Sequence, residues 1–345
     1  MIDRKKRIYL LPIEPLDMRY SEQWLGWFRD EIVGSTYDLV IIHGKTLTRE
    51  ITNGAFLDIC GTNYYKASQL QQCCEYIHHG AVESGDVFLA LDGWFPGIEM
   101  LAYMRDGMKI DFKIAGCFHA GTYDDTDFIS KLGMGVWGRD LENSWFHIFD
   151  AIFVATQYHK DLILHERVVG PERIHVTGFP IKRPDVKKGF TKEKIVVFPH
   201  RLTPDKQPEL FHELRLKFSI THPNWSFICS QDEKRTKVDF YKLLRRSSIA
   251  ISFAKHENWG IAMQEAVMLN CLPIVPNRLS YKEMYPDQFR FNSFDEAVEL
   301  LYWMLDACDN ETTEHYCNDF YKMRSTFIYN GEKAISNMIE VLRGL

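Results

Sequence analysis

The chain has 345 residues, 46% of them hydrophobic, and a formal net charge of -6. A hydrophobic fraction of this size excludes a disordered chain, and at about 100 to 200 residues per domain the length predicts two domains. The acidic balance excludes a strong overall attraction for nucleic acid or for an anionic membrane, but it leaves room for a local basic patch.

Neither the cysteines nor the N-terminus indicates secretion. The eight cysteines have no paired C-x-x-C spacing, and several lie in apolar runs where a thiol packs as a small hydrophobic group. The apolar run after the charged N-terminus extends only from Ile8 to Ile13, which is too short for a signal peptide or a transmembrane segment. We therefore expect a cytoplasmic protein without membrane association.

The first half of the chain alternates between predicted strands and helices, which is typical of a doubly wound α/β domain. Apolar residues at helical spacing predict helices over Ser21 to Val33, Asn63 to His79, and Gln157 to Glu166. Short apolar runs between turn residues predict buried parallel strands. These runs are Arg7 to Ile13, Asp38 to Ile42, Asp86 to Leu91, Phe112 to Phe118, Ala151 to Ala155, and Arg173 to Thr177.

The segment Gly178 to Phe190 is rich in Pro and Lys and has no periodicity, so it is predicted to be an interdomain linker. The strand and helix pattern then restarts. Helices are predicted to begin near Lys206, Val238 and Gly260. The predicted strands are Lys194 to Phe198, Trp225 to Cys229, Ile249 to Phe253, and Leu272 to Val275.

These patterns predict an N-terminal domain over residues 1–180, a linker over 181–190 and a C-terminal domain over 191–329. Residues 330–345 are expected to form a helix that crosses back to the first domain, after a break at Asn330-Gly331. No G-x-G-x-x-G sequence follows the first predicted strand, which argues against an NAD-dependent dehydrogenase.

The segment from Ile251 to Pro286 contains the most informative pattern. A predicted strand ends at Ala254, and after a short loop a helix begins at Gly260 and carries Glu265 on its second turn. The glycine allows a close approach of the backbone to a ligand, and the free N–H groups of a helix start form an anion site.

Glu257 and Glu265, with seven residues between them, resemble the Glu-x7-Glu signature of retaining GT-B glycosyltransferases such as glycogen and sucrose synthases. The resemblance implies two Rossmann-like doubly wound domains that face each other across a cleft. It also implies that Glu257 faces the donor sugar and that Glu265 binds the ribose hydroxyls of the nucleotide. The donor site is then expected to comprise Asn258, Trp259, Gly260, Ile261 and Glu265.

Arg201 and Lys206 follow the strand predicted at the start of the second domain and flank Pro204-Asp205. An Arg grips phosphate oxygens in a bidentate fork and a Lys adds a point charge, which suits a departing nucleoside diphosphate. The segment resembles the Arg and Lys phosphate clamp of the same glycosyltransferases. The alternative is an ordinary solvated helix start.

The resemblance extends to the tRNA-queuosine mannosyltransferase family over roughly residues 194 to 290. It rests on His256-Glu257, on Trp259 to Ala262, on Pro276 to Tyr281 with Glu283, and on a Pro-His-Arg element. The N-terminal half resembles phage-encoded glycosyltransferases in its PIEPLDMRYSEQW opening and its FHAGTYDDTD segment. If the gene is carried by a phage, the protein is expected in the host cytoplasm.

His119 follows the predicted strand that ends at Phe118, at the edge of the sheet where α/β proteins bind ligands. It matches the histidine that many retaining GT-B enzymes place near the donor sugar. The same loop offers Tyr123, Asp124 and Asp125 to an acceptor, although an Asp-rich loop is often a solvated turn.

The first strand lacks the glycine pair usual in the family, and Arg19 and Tyr20 occupy that place. These two residues either bind phosphate or acceptor, or only cap the next helix. An Asp-x-Asp sequence occurs in the DDTD run, but GT-B enzymes usually work without metal, and no required metal or cofactor is predicted.

The sequence therefore predicts a glycosyltransferase that uses a UDP- or GDP-sugar, with the donor in the C-terminal half. The resemblance implies retention, and an inverting route with His119, Asp124 or Asp125 as base is the alternative. The leading acceptor candidate is a hydroxymethylated base in phage DNA. The other candidates are tRNA and a small metabolite or glycan. The rival functions are a nucleotide-sugar epimerase of GT-B shape and a nucleotide-binding module without transferase activity.

Overall fold

The computed structural model divides the chain into two compact units. Unit 1 comprises residues 1–180 and 333–345, and unit 2 comprises residues 181–332. The structure describes residues 4–15, 20–47, 58–127, 129–185, 191–232, 236–312 and 314–345.

Unit 1 contains a six-stranded, all-parallel sheet with strand order β2-β1-β3-β4-β5-β6. The third and fifth strands along the chain are buried over their whole length because helices cover parallel sheets on both faces. The strands are β1 (Arg7–Leu11), β2 (Asp38–Ile41), β3 (Val87–Ala90), β4 (Lys113–Cys117), β5 (Ala151–Val154) and β6 (Ile174–Val176).

In the described part of unit 1, five α-helices lie between these strands. Asp58 and Thr156 cap two of them, since their side chains accept hydrogen bonds from the first-turn N–H groups of Gly61 and His159. The helices are α1 (Tyr20–Val33), α2 (Ile59–His78), α3 (Glu99–Met108), α4 (Gly135–Ile148) and α5 (Gln157–Glu166).

Unit 2 contains a five-stranded parallel sheet with strand order β11-β10-β9-β7-β8. Its strands are β7 (Glu193–Phe198), β8 (Ser226–Cys229), β9 (Ser247–Ile251), β10 (Leu272–Pro276) and β11 (Arg290–Phe291). Its helices are α6 (Pro208–Thr221), α7 (Lys237–Arg246), α8 (Ile261–Met268), α9 (Tyr281–Met284), α10 (Phe294–Asp309) and α11 (Glu314–Arg343).

Helix α11 runs unbroken through Asn330 and Gly331, so the predicted break is wrong. A side chain at position 331 would collide with the carbonyl oxygen and the side chain of Ile181. The glycine therefore permits close packing and does not end the helix. Residues of α11 up to Glu332 belong to unit 2, and those from Lys333 belong to unit 1.

The predicted strands are confirmed to within a few residues at their ends. Helices α3 and α4 were not predicted, and both contain glycine, which weakens a helical pattern. In the part of the chain that the structure describes, no helix is long and apolar enough to cross a membrane.

Candidate active site

Two loops meet at the carboxyl edge of the unit 2 sheet, because β7 and β9 are parallel neighbours. The chain after β7 passes through His200 and Arg201 to a short turn, Pro204–Lys206. The chain after β9 leads to Gly260 and into α8. A backbone hydrogen bond of 2.8 Å from the Lys255 N–H to the Asp205 carbonyl ties the loops together.

Lys206 joins the two loops through its ammonium group, and its side chain is only 8% exposed. Nζ lies 3.2 Å from Glu257 Oε2 and 3.5 Å from Asp205 Oδ2, and it also donates to the His256 carbonyl. Three oxygens thus hold the cation at the strand ends, which a solvated surface lysine would not show.

Glu257 is held in its charged form. Burial alone raises the pKa of its carboxyl, but Lys206 and the hydrogen bond from the Gly260 N–H more than offset burial and lower the pKa to about 2. That N–H donates to Oε1 over 2.8 Å. The Glu257 carboxylate therefore links Lys206, after β7, to the N-terminal end of α8.

Gly260 adopts the left-handed conformation that allows α8 to begin directly after the loop, with φ of +67°. A Cβ there would lie 3.3 Å from the Tyr281 ring. Asn258 and Trp259, just before it, are buried, at 5% and 7% exposure, and Ile261 is the first residue of α8. The predicted donor segment thus forms a compact turn into the helix.

Arg201 is the second cation at this edge, and its side chain is 30% exposed. Nη2 donates to Asp205 Oδ2 over 3.0 Å and Nε donates to Thr203 Oγ1 over 2.9 Å. Burial raises the pKa of Asp205, but Thr203 and the two cations outweigh it and bring the pKa to about 2. Asp205 is a shared counter-ion that the sequence reasoning did not identify.

Glu265 has partners of its own on helix α7. Its carboxylate accepts two hydrogen bonds from Lys237 Nζ, at 2.9 and 3.0 Å, and one from the Tyr241 hydroxyl at 2.8 Å. The Glu265 side chain is 4% exposed. Lys237 and Tyr241 lie four residues apart on α7, so one face of that helix supplies both contacts.

His200 lies beside the Lys206 and Glu257 pair and is 4% exposed. Burial, and next the charge of Lys206, lower its pKa to about 3, so the imidazole is neutral. Its Nε2 has no hydrogen-bond partner within the described ranges.

His119 lies at the corresponding edge of unit 1, after β4. Its Nε2 lies 2.8 Å from the Leu91 carbonyl and its Nδ1 lies 3.4 Å from the Tyr20 hydroxyl. Burial lowers the pKa of His119, which keeps the ring neutral. Arg19 lies outside the described residues.

Of the three acceptor candidates after His119, only Asp125 is exposed. Tyr123 is buried and its hydroxyl lies 2.7 Å from His159 Nε2. Asp124 is buried and accepts from the N–H and hydroxyl of Thr126, at 2.8 and 2.6 Å. Tyr123 and Asp124 thus stabilise the loop from within.

A buried carboxylate that the sequence reasoning did not identify holds this loop. Glu142 on α4 accepts from the Thr122 N–H and hydroxyl, from Trp94 Nε1 and from Arg167 Nε, at distances of 2.6 to 2.9 Å. The Glu142 and Arg167 side chains are 0% and 2% exposed. Neighbouring Asp92, which follows β3, accepts from Lys66 Nζ over 2.6 Å.

No group of three or more His, Cys, Asp or Glu side chains that could hold a metal ion occurs among the residues described.

Comparison with known proteins supports the same architecture. The tRNA-queuosine alpha-mannosyltransferase of Drosophila melanogaster is 32% identical over 158 residues, which is 37% of this chain and 42% of that protein. TarM matches with a TM-score of 0.61 at 16% identity, over 80% of this chain and 58% of TarM. The UDP-forming alpha,alpha-trehalose-phosphate synthase of Burkholderia vietnamiensis matches with a TM-score of 0.64 at 11% identity, over 99% of both chains.

The chain has the GT-B fold. The predicted fold class and the homology to the tRNA-queuosine mannosyltransferase are thereby confirmed. The chain spans less than half of that relative and somewhat less than three fifths of TarM. No protein-family model matches the chain.

Proposed function

We propose that the protein is a glycosyltransferase that uses a nucleotide-sugar donor. Donor binding is assigned to residues 191–329 and acceptor binding to residues 1–180. One observation carries the proposal: Lys206, Glu257 and the Gly260 N–H are connected where β7 and β9 end. Glycosyl transfer needs positive charge and free N–H groups where a diphosphate departs, and this edge provides both.

Arg201 and Lys206 stabilise the leaving diphosphate in this proposal. Asp205 and Glu257 balance the two cations when no ligand is bound, so the site is pre-organised without a large net charge. An incoming diphosphate competes with the carboxylates for the same donors, and the N–H groups at the start of α8 add to its binding.

The two glutamates have different roles. Glu257 contacts the donor sugar, since it lies beside the diphosphate clamp. Glu265 binds the ribose hydroxyls and retains its contact to Tyr241, while Asn258, Trp259 and Ile261 shape the pocket between them. The donor is a UDP- or GDP-sugar, and the trehalose-phosphate synthase of the same fold is UDP-forming by name.

Transfer is proposed to proceed with retention, by attack on the face that the diphosphate leaves. The departing phosphate then accepts the proton of the acceptor hydroxyl. An inverting enzyme would need a base at this edge, and NMR of the anomeric proton of the product decides between the two outcomes.

The acceptor is proposed to be a hydroxyl on a modified nucleoside of tRNA. The support is the similarity to an enzyme whose name gives tRNA-queuosine as its acceptor. The leading candidate from the sequence was a hydroxymethylated DNA base. It is now the alternative, and the experiment must distinguish it from tRNA. Tyr20 and Asp125 are the described acceptor candidates that have solvent access.

The test measures release of nucleoside diphosphate from a panel of UDP- and GDP-sugars, alone and with added tRNA or hydroxymethylated DNA. We expect slow hydrolysis of one donor, stimulation by tRNA, and label transfer into tRNA. Binding without release would indicate a nucleotide-binding module, and interconversion of the sugar would indicate an epimerase. Asp125→Asn is expected to lower transfer and to leave hydrolysis largely intact.

A further inference from the structure

Glu14 is a carboxylate buried at the carboxyl edge of the unit 1 sheet, just after β1. The residue is 8% exposed, and its Oε2 accepts one hydrogen bond, of 3.1 Å, from the Thr62 hydroxyl on α2. No basic side chain in the described ranges lies within ion-pair distance of it.

A buried carboxylate is stabilised by a charged partner or by several hydrogen bonds, whereas Glu14 accepts one hydrogen bond from a neutral hydroxyl. Buried charges in proteins are normally paired. No described residue supplies that charged partner, and a bound ligand could supply it.

Lys66, which lines the same recess as Glu14, already has other partners. Lys66 lies one helical turn after Thr62 on α2, but its Nζ donates to Asp92 Oδ2 and to the Trp94 carbonyl, both at 2.6 Å. Glu14 and Asp92 thus bring two carboxylates to this edge against one ammonium. Among the described residues, the charge balance at this edge therefore lacks one positive charge.

A recess lies between the end of β1, helix α2 and the end of β3. Its polar lining comprises Glu14, Thr62, Tyr65, Lys66, Gln69 and Asp92. Its volume is about 10 Å³. That is room for one group of the size of water or ammonium. The recess therefore fits a single donor group and not a whole sugar or base.

We propose that Glu14 and Thr62 bind a protonated amine carried by the acceptor, so that the acceptor is a hydroxyl compound with a nearby positive charge. The inference rests on the proposed function in one respect, namely that unit 1 binds the acceptor. Strands β1, β3 and β4 are consecutive neighbours, and His119 follows β4. The amine thus lies on the Glu14 side, and the accepting hydroxyl lies on the side of Asp92 and His119.

The test compares two small probes that differ in the amine, 2-amino-1,3-propanediol and glycerol, by ligand-observed NMR titration. We expect the parent protein to bind the amino-diol at least about tenfold more tightly, because a charged partner of a buried carboxylate is worth more than a neutral one. Glu14→Gln keeps the shape and should lose this preference. Thr62→Val keeps the charge and should preserve most of it.

Glu31→Gln is the matched control, since Glu31 is an exposed glutamate on α1, and it should leave the preference unchanged. Equal binding of the two probes to the parent, or an undiminished preference in Glu14→Gln, would overturn the proposal and leave a bound water as the occupant. The titration needs no nucleotide-sugar. A failure of the proposed glycosyl transfer would therefore appear separately, in the release of nucleoside diphosphate.

Discussion

Replacing Lys206 with Met is the perturbation that tests the unit 2 site most directly. Met keeps much of the length of the side chain and removes the ammonium that contacts Glu257, Asp205 and the His256 carbonyl. Glu257 would lose its ammonium partner and keep the hydrogen bond from the Gly260 N–H. We therefore expect the variant to be less stable than the parent at neutral pH.

The magnitude follows from the lowered pKa of Glu257. Each pKa unit corresponds to about 1.4 kcal/mol, so a shift from 4.5 to about 2 contributes about 3 kcal/mol at pH 7. A lowered carboxyl pKa stabilises the fold above the unfolded value of 4.5, and this is lost as the pH falls through about 2. At pH 3 about 1.4 kcal/mol remains.

Urea denaturation of both proteins at pH 7 and pH 3 measures this difference. We expect a loss of about 3 kcal/mol in the free energy of unfolding at pH 7 that shrinks by about half at pH 3. Asp205 contributes in the same direction, because Lys206 also lowers its pKa. Lys217→Met is the control, since this exposed lysine on α6 should cost less than about 0.5 kcal/mol.

The effect of the same substitution on catalysis is measured as the rate of nucleoside diphosphate release. Loss of a charge that acts on the leaving group should lower the rate about a hundredfold, or about 3 kcal/mol, and should weaken donor binding less. Arg201→Ala should behave similarly and non-additively, because both cations share Asp205. A stability loss below about 0.5 kcal/mol with no pH dependence, together with rates within about twofold of the parent, would refute the reasoning.

Three further predictions follow from particular contacts. Glu265→Ala should weaken donor binding in calorimetry while Glu257→Gln mainly lowers turnover, and unchanged affinity and rate in both would remove the assignment. Glu142→Gln should lower the free energy of unfolding by about 3 kcal/mol because Arg167 loses its buried partner, and a change below about 1 kcal/mol would contradict this. Gly331→Ala should destabilise the protein while Gly107→Ala, with open space in α3, stabilises it by about 0.5 to 1 kcal/mol.

The strands could be predicted because parallel strands buried on both faces are continuous apolar runs, such as Val87–Ala90 and Ala151–Val154. The unbroken course of α11 could not be predicted. Gly331 resembles a helix break in the sequence, and only the packing against Ile181 explains it.

The placement of Lys206 and Glu257 at one edge could be predicted, because each follows a parallel strand. The counter-ions could not, since the distance in sequence between Glu265 and Lys237 gives no sign of their contact. Glu142 was missed for the same reason. Its partners come from three separate segments that only the folded chain brings together.

Charge balance distinguishes the two edges. In unit 2, Asp205 and Glu257 offset Arg201 and Lys206. In the proposed mechanism, a diphosphate therefore displaces a carboxylate contact or accepts from the α8 N–H groups. In unit 1, Glu14 has no offset among the described residues. Cations that are already paired with carboxylates favour release of a bound anion, because the carboxylates regain their hydrogen-bond donors as the anion leaves. A carboxylate without a charged partner favours tight binding of a cation instead.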